Sequence, residues 1–291
     1  MIIAAQKLFR CNLFDFLFSG WRMQNSNNFP LIIAHRGASA IAPENTPAAF
    51  WRAIESGADG LEFDARLAKD GVPVVFHDST LNRMARRKIR TSNLTSAELK
   101  ELDIGSWFNL KNPSKANNGF IGETVPTLAR VFDFLDGYKG RIYVELKCRN
   151  NEISALVEAV CKAIQTTKLL PNIVLKSFTL EAVGEAKSLM PELCAAALFA
   201  PKIVGFLKRQ NNLIEQAKNF RADELSLHHS LATRKFMERA RREKMPVTIW
   251  TTDNPAWVRR ALETGIYAII TNNPARMLAK RREILREIGR G

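Results

Sequence analysis

Eight short apolar runs, separated by longer segments of helical period, constrain this sequence more than any other feature. They are Leu31–His35, Gly60–Asp64, Arg141–Lys147, Asn172–Phe178, Leu193–Phe199, Glu224–Leu227, Val247–Thr251 and Ala268–Thr271. Strands alternating with helices argue for βα units and a parallel sheet, because parallel neighbours need a long crossover between them. The segment Glu152–Thr166 fits one such crossover, with Ile153, Leu156, Val157, Val160 and Ile164 at helical spacing. Three joints, Thr46-Pro47, Asn254-Pro255 and Asn273-Pro274, place an N-cap residue before a proline that can open a helix. Eight such units in 291 residues predict a single α/β domain, a TIM-type (β/α)8 barrel.

One further run, Val72–Asp78, has strand character but follows the second strand after only Ala68-Lys69-Asp70-Gly71. Asp-Gly favours a tight turn, and so short a link excludes a parallel crossover. Arg66–Phe76 therefore reads as a hairpin extending the second strand. Residues of about 79–125, basic and irregular, read as a small insertion after that strand, at the barrel end where strand-to-helix loops grow.

Residues 1–29 read as an N-terminal extension to a barrel spanning 30–291. Leu13, Phe14, Phe16, Leu17, Phe18 and Trp21 are apolar, but Lys7, Arg10 and Asp15 interrupt them, which excludes a membrane span. No apolar core with a small-residue cleavage site follows, so a signal peptide is not expected. A surface-lying membrane helix, a helix packed on the barrel and an extension upstream of a natural start at Met23 remain, and the last two are favoured together.

The formal charge of +14 attracts phosphate, whether on a small substrate, a lipid surface or nucleic acid. Basic residues gather at Arg83, Arg86, Arg87, Lys88 and Arg90, from Arg234 to Lys244, and from Arg276 to Arg290; solvated helix faces account for most of them. No aromatic-interleaved nucleic-acid motif accompanies these clusters, so no nucleic-acid partner is expected. Cys11, Cys148, Cys161 and Cys194 lack the spacing of a zinc site or disulfide framework. A reducing, cytoplasmic setting follows, with peripheral membrane contact through residues 1–22 and the basic surface left open.

In a barrel of this kind the chemistry sits at the carboxyl ends of the strands. Those ends carry His35-Arg36-Gly37, Glu62-x-Asp64, Glu145-x-Lys147 and Trp250, and the hairpin adds His77-Asp78. Glu62 and Asp64, two apart on a strand, share a face. Side by side they repel unless a cation intervenes, and Glu145 on the neighbouring strand can close the set. Three carboxylates without a thiolate suit one hard divalent cation, Mg²⁺ or Ca²⁺, although salt bridges to arginine compete for each of them. His35 and His77 suit general acid–base chemistry. Arg36 and Lys147 suit a phosphate, with a Lys147 salt bridge to Glu62 or Asp64 as the competing account. Trp250 can wall a glycerol or alcohol group, as it can pack in the core. His228 and His229 read as structural.

These residues together resemble the glycerophosphodiester phosphodiesterase family. The resemblance rests on Ala34-His35-Arg36-Gly37, Pro43-Glu44-Asn45-Thr46, Gly57-Ala58-Asp59, Glu62-Phe63-Asp64, Asp70-Gly71 and His77-Asp78. It continues more weakly through Val125-Pro126-Thr127-Leu128, Glu145-Leu146-Lys147, Ser177-Phe178, Trp250-Thr251 and Ile269-Ile270-Thr271, over about residues 31–280. It implies a barrel with a subdomain after the second strand. It implies a divalent ion on Glu62, Asp64 and Glu145, His35 and His77 as the acid–base pair, and Arg36 and Lys147 on the phosphate. The implied reaction yields sn-glycerol 3-phosphate and an alcohol, and we expect the glycerol 2-hydroxyl of the substrate to attack phosphorus. Ala68, Met84-Ala85, Tyr267 and Asn272 depart from the family pattern, Asn272 where aspartate is frequent, and Asp253 stands near a usual asparagine. The alternatives are a lysophospholipase D-like enzyme acting on membrane lysophospholipids and a non-catalytic phosphate- or membrane-binding module.

Overall fold

The computed structural model describes residues 29–201 and 212–289. The expectations for residues 1–28, including Cys11 and a start at Met23, lie outside the described residues. Nine strands form one sheet: β1 (Leu31–His35), β2 (Gly60–Leu67), β3 (Pro73–Val75), β4 (Arg141–Leu146), β5 (Ile173–Ser177), β6 (Cys194–Phe199), β7 (Glu224–His228), β8 (Val247–Trp250) and β9 (Ala268–Thr271). Their order is β1-β9-β8-β7-β6-β5-β4-β2-β3, and a further β1–β2 pairing closes eight parallel strands into a barrel. β3 alone runs antiparallel, pairing Ala65 with Val75 and Leu67 with Pro73 in the expected hairpin. The eight expected strands are present, with ends differing by up to three residues; β2 runs to Leu67 because the hairpin prolongs its ladder.

Among the described residues eight longer helices cover the outside: α1 (Pro47–Glu55), α2 (Leu128–Phe134), α3 (Ile153–Gln165), α4 (Leu180–Leu189), α5 (Leu213–Asn219), α6 (Arg234–Arg242), α7 (Ala256–Thr264) and α8 (Pro274–Ile288). Capping explains their starts. Thr46 accepts from the Ala49 N–H at α1, and Asn273 accepts from the Arg276 N–H at α8. At α7 the helix begins one residue later than the Asn254-Pro255 signal suggests, with Asn254 Oδ1 accepting from Ala256 N. In α3 the stripe Leu156, Val157, Val160 and Ile164 is buried against the barrel. Burying each such side chain contributes about 1.5–3 kcal/mol.

Strand parity sorts the interior. On β2 and β4 the outward Leu61, Phe63, Ala65, Ile142, Val144 and Leu146 pack under the helices. The inward residues of those strands are Glu62, Asp64, Tyr143 and Glu145. Lower in the bore Leu31, Ile33, Tyr143, Val174, Ala196, Ala268 and Ile270 fill the barrel as a packed core. The chain between β3 and α2 forms short helical turns around their own apolar cluster, in which Phe76, Leu81, Leu99 and Ile104 are fully buried. Among the described residues no helix is long and apolar enough to cross a membrane, and Cys148, Cys161 and Cys194 are free.

Candidate active site

Register assembles the site before any side chain is considered. His35 pairs with Glu62 across β1 and β2, Asp64 with Glu145 across β2 and β4, and Glu145 with Lys176 across β4 and β5. These residues gather toward the carboxyl end of the barrel, on two successive inward positions of β2 and the matching positions of its neighbours. The loop after β1 is held open by left-handed backbone at Arg36 and Gly37. A Cβ on Gly37 would lie 2.5 Å from the Ala49 carbonyl carbon, so glycine is required there.

Glu62, Asp64 and Glu145 are buried, and one carboxylate oxygen from each lies within 4.8 Å of the others. Three cations answer them. Lys176 Nζ is 2.8 Å from Glu62 Oε1 and 3.6 Å from Glu145 Oε2. Lys147 Nζ is 3.3 Å from Asp64 Oδ1 and pairs with Glu145 Oε1, while Arg36 Nε is 3.1 Å from Asp64 Oδ2. Burial opposes ionisation of Asp64, but Lys147 and Arg36 hold it well below the usual carboxylate range; for Glu62 Lys176 and His35 likewise outweigh burial and lower it.

The donor set fits a hard divalent ion. Glu62, Asp64 and Glu145 present their buried carboxylates to one another, with Lys176 Nζ 2.8 Å from Glu62 Oε1 and Lys147 shared between Glu145 Oε1 and Asp64 Oδ1. Three convergent carboxylates with no thiolate among them match the oxygen ligands that such a cation takes.

Two histidines flank this cluster. His35 Nε2 lies 3.9 Å from Glu62 Oε2, and its Nδ1 lies 2.7 Å from Asn272 Oδ1. Burial lowers the affinity of His35 for a proton, with Glu62 opposing. His77 is brought in by the hairpin, its carbonyl held by Arg66 Nε at 2.7 Å, and its Nδ1 lies 2.7 Å from Asp78 Oδ1. Asp78 is in turn bound by Arg83 Nε at 2.7 Å. Despite its burial it is held well below the ordinary carboxylate range by His77 and Arg83.

Arg36 Nη1 donates to Glu44 Oε1 at 2.7 Å, and Glu44 also takes both terminal nitrogens of Arg83. Trp250 packs edge-on against Phe178, centroids 5.4 Å apart, and against His228 at 5.5 Å; Lys147 Nζ lies 5.9 Å from the Phe178 ring. The structure thus brings His35, Arg36, Glu62, Asp64, His77, Glu145 and Lys147 together, with Trp250 joined to Lys147 through Phe178. His228, read as structural from sequence, stacks on His229 and extends this aromatic wall.

Several residues of the cluster escaped the sequence reading. Lys176 carried a usable signal, since it alternates inward on a strand as Glu62 and Asp64 do. Asn45, fully buried with positive φ, donates to Asp64 Oδ2 at 2.9 Å; its place in Pro43-Glu44-Asn45-Thr46 gave no hint of that reach. Asp253 and Asn272, on separate loops, meet only in three dimensions.

The site belongs to a recognisable lineage. The model of the "Glycerophosphoryl diester phosphodiesterase family" matches residues 35–276. A glycerophosphodiester phosphodiesterase of Caldanaerobacter subterraneus is 31% identical over 251 residues, covering 85% of this chain and 96% of its own. Its counterpart in Bacillus subtilis is 29% identical over 250 residues, covering 84% of each. Among solved structures, an Oleispira antarctica phosphodiesterase in complex with the product sn-glycerol-3-phosphate is 25% identical with a TM-score of 0.77, over 87% of this chain and 97% of that one. A Silicibacter pomeroyi protein described as a putative glycerophosphoryl diester phosphodiesterase, also 25% identical, has a TM-score of 0.78 over 88% and 94%.

Proposed function

This chain belongs to the glycerophosphoryl diester phosphodiesterase family and is an enzyme of that kind, and we propose that it hydrolyses glycerophosphodiesters to sn-glycerol 3-phosphate and an alcohol by paired histidine catalysis. The observation that carries the reading is the convergence of His35, His77, Arg36 and Lys147 on three buried carboxylates that lie close enough together to share one ion.

Glu62, Asp64 and Glu145 would hold one Mg²⁺ or Ca²⁺. When bound, it supplies Lewis-acid polarisation of a phosphoryl oxygen and stabilises charge developing there. Arg36 and Lys147 hold the phosphodiester oxygens, the guanidinium as a fork and the ammonium as a point charge. The two histidines differ in their partners. His35 bonds to an amide, an arrangement suited to a neutral ring, and burial favours that form. His77 bonds to the Asp78 carboxylate, which accepts from Nδ1 and orients the ring. His35 Nε2 takes the proton of the glycerol 2-hydroxyl as its oxygen attacks phosphorus, and His77 gives its Nε2 proton to the departing alcohol oxygen. The five-membered cyclic phosphate is then opened by water. His77 accepts the water proton, His35 returns its proton to the 2-oxygen, and sn-glycerol 3-phosphate leaves. Trp250 and Phe178 wall the alcohol side.

Release of glycerol 3-phosphate from glycerophosphocholine, with and without chelator, tests the reading beside a His35→Ala control. Metal-dependent release lost in the variant supports it. No release with either ion would overturn this substrate assignment. A glycerophosphodiester lacking the 2-hydroxyl should be inert; normal turnover would replace internal attack by direct attack of water.

A lysophospholipid substrate is the second reading. Leu110 and Ile121 on the chain between β3 and α2 are 65% and 60% exposed. Lys115 of the same segment reaches back to the Ala40 carbonyl in the loop after β1, where Ile41 is also exposed. Aliphatic side chains among cations at a barrel mouth suit an anionic bilayer. Turnover of lysophospholipid in anionic vesicles, compared with a protein lacking residues 1–22, separates the two readings.

A further inference from the structure

Asp253 and Asn272 are joined to His35 by a chain of hydrogen bonds that the reaction described above does not use. The Asp253 carboxylate, in the loop between β8 and α7, is clamped on both oxygens. Oδ1 accepts from Thr271 Oγ1 at 2.7 Å and from the Asn272 backbone N–H at 2.8 Å, and Oδ2 accepts from Asn272 Nδ2 at 2.9 Å. A carboxylate only accepts, so the group that Asn272 turns toward Asp253 must be its NH₂. The opposite orientation would set the amide oxygen against a carboxylate oxygen at hydrogen-bond distance. The Asn272 Oδ1 is thereby pointed the other way, at His35 Nδ1, 2.7 Å distant. An amide oxygen also only accepts, so Nδ1 must donate. Ser39 Oγ, 3.1 Å from the same Oδ1, is a second donor there.

We propose that Asp253 and Asn272 are positioning residues that fix His35 as the Nδ1–H tautomer, leaving the Nε2 lone pair aimed into the site. The inference rests on the reading of His35 as general base, and it deepens that reading by naming what prepares the base. The relay crosses three adjacent strands, from the loop after β8 through the end of β9 to the end of β1. Each link is forced by the acceptor-only character of the one before it. Rotation of the Asn272 amide by half a turn would exchange donor for acceptor at Nδ1, move the ring proton to Nε2 and remove the base.

Nitrogen-15 spectra of histidine-labelled protein at pH 8, with the His35 resonances assigned by their loss in His35→Asn, read the tautomer directly. Wild type should give an Nδ1–H pattern for His35. In Asp253→Asn the new amide still accepts from Thr271 and the Asn272 backbone through Oδ1, but presents NH₂ to Asn272. The Asn272 amide then inverts, and His35 should change to the Nε2–H pattern. The kcat for glycerophosphocholine should fall by roughly 10²-fold or more with KM little altered, because the value of a positioned base is lost while binding is kept. The double variant Asp253→Asn/Asn272→Asp restores an acceptor at position 272 held by a donor at 253; it should recover the Nδ1–H pattern and most of kcat. Asn272→Ala, which removes the relay, should lose the tautomer preference. An Nε2–H pattern in wild type, or an unchanged pattern in Asp253→Asn, overturns the proposal, as does a double variant no better than its parent. If the tautomers behave as stated while His35→Asn retains full turnover, the relay stands and the role of His35 as base falls.

Discussion

Lys176 Nζ stands 2.8 Å from Glu62 Oε1, and the lysine is 1% exposed. No substrate can touch this ammonium, so its effect passes through the carboxylates. With Arg36 and Lys147 it makes three cations for three buried carboxylates, a set that is neutral before any divalent ion arrives. Lys176→Met should therefore weaken the metal-free fold and sharpen the demand for metal. Removing one partner of a buried pair costs about 3–5 kcal/mol, and a divalent ion can return part of it by taking over the exposed charge. The melting temperature of the variant in chelator should drop well below that of wild type. Added Mg²⁺ or Ca²⁺ should raise it by more than in wild type. Equal metal-induced shifts in the two proteins would show that Lys176 does not act on the cluster.

The titration of the site gives a pH dependence whose sign can be worked out. His35 binds its proton less readily folded than unfolded, because burial penalises the charged ring. The unfolded chain then holds more protons, and stability is lost as pH falls below the ordinary histidine value of about 6.5. Glu62 and Asp64 bind protons less readily folded because of their lysine and arginine partners; their contribution is present above the ordinary carboxylate range of about 4 and lost below it. Urea midpoints of the metal-free protein should thus decline in two stages, first below about pH 6.5 and again below about pH 4. His35→Asn should shrink the first stage, to which His228, also lowered by burial, contributes as well, and leave the second unchanged. Parallel curves for variant and wild type would rule out His35 as the source.

Much of this was open to sequence reasoning because parity on a strand is a hard geometric rule. Glu62 and Asp64 must share a face, and the Asp70-Gly71 turn must send His77 back beside them; both hold in the structure. The same rule applied to Leu175-Lys176-Ser177 would have turned Lys176 inward. Asn45 and the Asp253–Asn272 pair were hidden. They sit on loops, where no period links position in sequence to direction in space, and their partners lie 19 and 237 residues away in the chain.

The bend after β1 makes a prediction about the fold. Gly37 has φ of 78°, and an added Cβ would meet Ala49 Cβ at 2.7 Å as well as its backbone. Gly37→Ala adds left-handed strain to a clash with a helix backbone that cannot swing aside. The two effects together should destabilise by roughly 2–4 kcal/mol, above the usual range for a surface change. Chemical unfolding of the variant measures this directly, and glycerophosphodiester turnover should fall too as Arg36 is displaced. By contrast, Gly57→Ala, with positive φ but open space around it, should cost only about 1 kcal/mol.

Arg36 supplies the test of phosphate recognition. Its Nε faces Asp64 and its Nη1 donates to Glu44, which orients the fork and leaves Nη2 without a partner among the described residues. Arg36→Lys keeps the charge but has one nitrogen to share among Asp64, Glu44 and the phosphate, so it cannot satisfy the protein contacts and bind substrate in the same geometry. Loss of one charged hydrogen bond to the phosphate costs about 1.5–3 kcal/mol, so kcat/KM should fall roughly 10- to 100-fold. Because an anchoring contact acts on bound substrate and transition state alike, the larger share should appear in KM. The site keeps its formal charge, so the salt dependence of KM should stay close to that of wild type. A fall confined to kcat, with KM unchanged, would instead assign Arg36 to charge that develops only during the reaction.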